Sequence, residues 1–171
     1  MMAHTHIVGM TESGKTTLAK ALCKKYQDAS VSTLILDPLH DPEWCADFKT
    51  HDPDEFLTVF WDSRGCAVFV DEAGESVGQF DKVMSKTATK GRHWGHSCHY
   101  ISQRATQVAK IVRDQCSHLF IFTSSLDDSK MLANEWNSPE IKGANALKQG
   151  EYFHVTRFGA LTKGNIFEEI C

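Results

Sequence analysis

The chain has 171 residues, of which 42% are hydrophobic and 23% charged, with a net charge of −4. That length allows a single domain, residues 1–171, with one buried core, and the composition is ordinary for a soluble globular protein. No apolar stretch approaches the roughly 20 residues needed to span a bilayer, and the N-terminus does not read as a signal peptide, so the expected compartment is a cytoplasm.

Thr5 to Val8 reads as the first strand and Lys15 to Tyr26 as the first helix. Between them, Gly9-Met10-Thr11-Glu12-Ser13-Gly14-Lys15-Thr16 fits G-x-x-x-x-G-K-[ST], a phosphate-binding loop in the strand-before, helix-after context that gives the motif its meaning. The glycines let the backbone curl so that successive N–H groups converge on phosphates, and the positive end of the helix adds to the field. Residues Gly9 to Thr17 are therefore the expected ATP contacts. Lys15 is placed to reach the β- and γ-phosphates and Thr16 to hold Mg²⁺.

Val31 to Leu36 reads as a second strand ending at Asp37-Pro38, followed by a connection with helical pieces at Trp44 to Phe48 and Asp54 to Trp61. Asp52 and Pro53 supply the second piece with an N-cap and a first-turn proline. Cys66 to Val70 is an apolar strand delivering Asp71 and Glu72 to a sheet edge. Asp71 is expected to bind Mg²⁺ through water, and Glu72, pointing elsewhere, to polarise a water for attack on the γ-phosphate. Phe80 to Thr89 reads as helix, broken by Gly91 and Gly95; Cys98 to Ser102 as strand; Ala105 to Arg113 as helix; Leu119 to Thr123 as strand. Leu126 to Trp136 is a helix with an acidic start, and the segments Tyr152 to Phe158 and Ala160 to Phe167 alternate around Gly159 like a terminal hairpin. Strands alternating with helices imply an α/β fold with a mainly parallel, doubly wound sheet. Gly9, Asp71 and Gln103 all fall at its carboxyl edge. A strand lying between the phosphate loop and the acid pair would put Gln103 near the γ-phosphate, as a sensor.

Lys82 to Arg113 holds seven bases and no acid, leaving 11 bases against 22 acids elsewhere, so one stretch is +7 and the rest −11. Such a segment fits a surface facing phosphates, or a solvated face balanced in space by acids from elsewhere. The six cysteines form no C-x-x-C pair and read as free thiols. His93, His96, Cys98 and His99 have the composition of a metal site, but Cys98 and His99 alternate along a strand and cannot converge. Asp37, His40 and Asp41 form a strand-end acidic group that fits a contact with nucleotide or a capped loop equally well.

The phosphate loop, the Asp71-Glu72 pair, the segment Thr89-Lys90-Gly91-Arg92-His93 and the strand end Ser102-Gln103-Arg104 resemble, in order and spacing, the FtsK/HerA superfamily of DNA-pumping ATPases. Within it the chain is most similar to the genome-packaging ATPases of icosahedral viruses with an internal membrane. The resemblance spans residues 5 to 136 and implies a P-loop NTPase of the ASCE, RecA-like type. It implies a hexameric homo-oligomer that hydrolyses ATP to drive double-stranded DNA into a preformed capsid, with capsid or vertex proteins as partners. The expected location is then host cytoplasm and virion. In such rings an arginine from the neighbouring subunit touches the γ-phosphate; Arg92 is the first choice and Arg104 the second. Glu12 departs from the family pattern, which has a small residue there, and is expected to point away from the phosphates. The DNA-guiding domains of the larger cellular pumps are absent from the sequence.

Two other readings share the phosphate loop. A small nucleoside or metabolite kinase needs an arginine-rich lid and has little use for Glu72. An assembly ATPase of filamentous-phage type normally carries a membrane anchor.

Overall fold

The computed structural model describes residues 3–72 and 85–169. In chain order the strands are β1 (His4–Val8), β2 (Thr33–Leu36), β3 (Phe48–Thr50), β4 (Ala67–Val70), β5 (Ser97–Ser102), β6 (Cys116–Ile121), β7 (Glu151–Thr156) and β8 (Thr162–Asn165). The helices are α1 (Lys15–Asp28), α2 (Pro53–Asp62), α3 (Lys110–Gln115), α4 (Leu126–Glu135) and the short α5 (Ile166–Glu169), with residues 85–90 also helical. No helix among the described residues is long and apolar enough to cross a membrane.

The strands make one sheet in the order β3-β2-β4-β5-β1-β6-β7-β8. Every pairing from β3 to β6 is parallel, and β7 and β8 are added antiparallel as the expected terminal hairpin. Apolar residues on both faces explain why β2 and β4 read as continuous hydrophobic runs: each is buried along its whole length. Alternation then sorts the side chains. Ile35, Ala67 and Phe69 face α1 with Leu18, Ala19 and Cys23, whereas Leu34, Leu36, Val68 and Val70 face α2 with Phe56 and Phe60. Burying each of the Val, Leu, Ile and Phe side chains among these contributes about 2 kcal/mol.

α2 starts as its sequence dictates, with Asp52 Oδ1 accepting from Asp54 N–H at 2.9 Å and proline in the first turn. Three expectations are corrected. Trp44 to Phe48 is not helical; Phe48 instead opens the edge strand β3, paired to Leu34. Ala105 to Arg113 is not one helix but a 3₁₀ turn at Ala105–Gln107 followed by α3. The break is held by Arg113, whose Nη1 donates to the carbonyls of Ala105 and Val108, taking acceptors a continuous helix would use itself. The tail ends in α5 rather than continuing as strand to Phe167, and a 3₁₀ segment at Pro139–Ala146 was not foreseen. Of the expected Phe80 to Thr89 helix, residues 80–84 lie outside the described residues.

Candidate active site

The phosphate loop leaves β1 at the middle of the sheet and is tethered on both sides. Gly9 N–H donates to Ser102 O at the end of β5 (3.2 Å), and Met10 N–H to Thr123 O beyond β6 (2.8 Å). Gly9 has no room for a side chain: a Cβ there would lie 2.6 Å from Phe122 Cβ and 2.6 Å from Ser13 Oγ. Gly14, at φ 111°, occupies the left-handed region immediately before α1. No side chain caps α1 and its first turn holds no acid, so its leading N–H groups are available to an anion. Lys15 is buried, and burial lowers its pKa below 10.5 while the carboxylates of Glu72 and Asp71 oppose the shift. Met10, Thr11, Glu12 and Thr17 are exposed, Ser13 is buried, and Thr16 is half-buried in the first turn of α1. Glu12 takes a positive φ of 62°, and its carbonyl accepts from Gln149 Nε2 at 3.0 Å. Gly150 N–H reaches Ser13 O at 2.9 Å, so the chain entering β7 packs on the loop. A groove of about 400 Å³ opens there, lined by Glu12, Lys15, Thr16, Thr17, Gln149 and Phe167.

β4 carries the acid pair to the same edge. Asp71 is buried; Oδ2 accepts from Trp44 Nε1 at 3.0 Å and Oδ1 from Glu72 N–H at 2.9 Å. Burial raises its pKa above 3.8; the indole and backbone N–H groups oppose this, the Asp37 carboxylate adds to the rise, and Lys15 lowers it. Glu72 adopts φ 47°, and its side chain meets Gln103, whose Nε2 lies 3.4 Å from each carboxylate oxygen. The reason is topological: β5 is inserted between β1 and β4, so the residue after its last strand position lies between the phosphate loop and the acid pair. Lys15, Thr16, Asp71, Glu72 and Gln103 therefore converge on one edge, as a nucleotide-hydrolysing site needs.

The two arginines diverge. Arg104 stays at this edge, where Nε donates to the buried Asp128 at 2.9 Å. Arg92 lies at the opposite, amino edge, donating to Gln115 O and Ser117 Oγ. The basic stretch is not one patch. Arg104, Lys110 and Arg113 each pair with an acid, Asp128, Asp114 and Glu135, while Lys86, Lys90 and Arg92 are exposed and Lys82 lies outside the described residues. The histidine and cysteine group is structural. His96 Nδ1 accepts from Cys66 N–H and its Nε2 donates to Phe60 O, His99 stacks on Phe69 at 4.5 Å between centroids, and Cys98 is buried. Trp44, Asp128 and Gln149 support the site, and no sequence motif marks them.

No family model matches the sequence. The fold does match solved structures. The genome packaging NTPase B204 from Sulfolobus turreted icosahedral virus 2, in complex with AMPPCP, superimposes with a TM-score of 0.80 at 15% identity, covering 96% of this chain and 97% of that one. The pCW3 conjugation coupling protein TcpA, with ATPγS, gives 0.75 at 13% identity over 95% of this chain and 59% of that chain. VirB4 of Thermoanaerobacter pseudethanolicus gives 0.71 at 12% identity over 95% and 88%. The α/β P-loop NTPase fold expected from the sequence is thus the fold present, and the resemblance drawn from the four motifs points to the same group of structures.

Proposed function

We propose that this protein is an ATPase that couples hydrolysis to movement of double-stranded DNA, packaging a viral genome into a preformed capsid. The observation that carries the reading is the insertion of β5 between β1 and β4, which seats Gln103 against Glu72 beside Lys15 and Asp71. The loop amides and Lys15 bind the phosphates, and the nucleoside occupies the groove between Glu12, Gln149 and Phe167. Thr16 and Asp71 supply the oxygen donors a magnesium ion prefers, and they face the same edge. That ion, bound with the nucleotide, neutralises phosphate charge. Glu72 takes the proton of the attacking water, and Gln103 orients that water and reads whether a γ-phosphate is present. A kinase protects its phosphoryl group from water; a carboxylate held by an amide next to the metal-binding acid does the opposite.

The subunits act as a ring, a hexamer in this reading, because Arg104 at this edge is held by Asp128 and Arg92 lies at the opposite edge, so a neighbour must supply the arginine. The exposed Arg92 at the amino edge is the first candidate for completing a neighbour's site, and Arg104 the second. Lys86 and Lys90, exposed near Arg92, contact DNA phosphates without reading bases, as a motor that must move any sequence requires. Capsid or vertex proteins are the docking partners, and the protein works in the host cytoplasm and on the virion. B204 is itself described as a genome packaging NTPase, and the full-length match in fold supports the reading. The test is ATP-dependent displacement of a triplex-forming strand from duplex DNA by the purified protein. Displacement that needs hydrolysable ATP is expected; displacement absent in all nucleotide states, with hydrolysis intact, would reject DNA translocation.

A further inference from the structure

Asp37 is the first residue after β2, and β2 is the parallel neighbour of β4. The register pairs Ile35 with Phe69 and Leu36 with Val70, and the ladder runs one step further through Asp71 N–H to Leu36 O at 3.0 Å. Asp37 and Asp71 are therefore opposite one another on adjacent strands. Both follow the alternation of Ile35 and Phe69, so both point to the α1 face, where the phosphate loop lies. Neighbouring strands are only about 4.8 Å apart, a separation at which two carboxylates repel unless something positive or a hydrogen-bond donor stands between them.

The bonding of the two acids is unequal. Asp71 receives two donors, from Trp44 and Glu72. Asp37 is 1% exposed; its Oδ1 accepts from Leu39 N–H at 3.1 Å, but its Oδ2 is buried and has no hydrogen-bond partner among the described residues. A buried, unpaired carboxylate oxygen costs folding free energy, and an ordered water or an ion's hydration shell is the kind of partner that offsets it. No lysine or arginine pairs with Asp37 among the described residues, whereas the nearby Asp41 is matched by Lys20 at 2.6 Å. The acid left uncompensated is the one beside the metal-binding Asp71.

We infer that Asp37 is a positioning residue for the metal shell, its Oδ2 accepting hydrogen bonds from water coordinated by the magnesium ion that Thr16 and Asp71 hold. This rests on the nucleotide-site reading above and adds a second carboxylate to it, one that no phosphate-loop or acid-strand motif contains. An outer-shell carboxylate of this kind orients metal-bound water and raises metal affinity without touching the nucleotide.

The experiment uses the full chain, a non-hydrolysable ATP analogue and Mn²⁺ as the probe, with free Mn²⁺ read by electron paramagnetic resonance. Analogue affinity is also measured in chelator. Asp37→Asn preserves shape and Asp37→Ala removes the group. Both variants are expected to weaken Mn²⁺ binding by about 10- to 100-fold while metal-free analogue affinity stays within about twofold of the parent. Mn²⁺ binding unchanged in both variants would overturn the assignment, and so would a parallel loss of metal-free binding or of folding in both, which would make Asp37 structural. Failure of the parent chain to bind Mn²⁺ with the analogue would instead reject the nucleotide-site reading itself.

Discussion

Glu72 takes a backbone conformation that costs a non-glycine residue free energy, and it does so immediately after a strand whose alternation would otherwise send its side chain to the α2 face. The turn aims the carboxylate at Gln103 instead. Glu72→Gln keeps the size and polarity but cannot accept a proton. It is expected to retain ATP binding and lose hydrolysis by about 10²- to 10⁴-fold, measured as phosphate release against equilibrium nucleotide binding. Turnover within a few-fold of the parent would remove Glu72 from the role of base. Lys15, Thr16, Asp71, Glu72 and Gln103 were legible because each belongs to a short local pattern: a glycine-spaced loop, or a polar residue ending an apolar run. Trp44 was not, since its partner Asp71 is 27 positions away and the surrounding Pro- and Asp-rich residues carry no period. The same holds for Gln149, which reaches back 137 positions to Glu12.

Among the elements, the central strands and their parallel character were readable because both-face burial produces continuous apolar runs. The Ala105 to Arg113 stretch shows where that reading stops. Its residues have helical spacing, yet Arg113 turns inward, pairs with Glu135 on α4 at 2.7 Å, and claims two carbonyls of the preceding turn. A tertiary ion pair thus overrides a local preference, which no window of sequence records. Both partners are nearly buried, so breaking the pair leaves an uncompensated charge. Glu135→Ala is expected to destabilise the protein by about 3–5 kcal/mol in urea unfolding. A change under about 1 kcal/mol would show that the pair is solvent-screened and does not hold this break. The edge strand β3 was missed for a related reason: three residues are too short for alternation to register, and pairing with β2 decides their state.

At the scale of the whole molecule, the sheet interior is rich in imidazole. His4, His6 and His99 are buried, and burial first, with charges from Arg92, Arg113 and His4 respectively, lowers their pKa values from 6.5 to about 4, 3 and 3. The folded state holds them neutral, while the unfolded chain protonates them below its pKa of 6.5. Their contribution is therefore fully present above that value and is lost as pH falls toward the folded pKa values. Each weakens the fold by roughly 2 kcal/mol on going from pH 7 to pH 5. The urea midpoint should fall steeply across that interval; a midpoint independent of pH would mean these rings are protonated or solvated in the folded state.

The eight-stranded sheet places the acid pair and phosphate loop on one edge and Arg92 on the other, so under the proposed function hydrolysis depends on assembly of several subunits. The direct measurement is ATP hydrolysis by purified protein across a concentration series, with and without double-stranded DNA. Specific activity is expected to climb steeply with protein concentration and to climb further with DNA. Activity strictly linear in protein, indifferent to DNA and dependent on a small phosphoryl acceptor would contradict it.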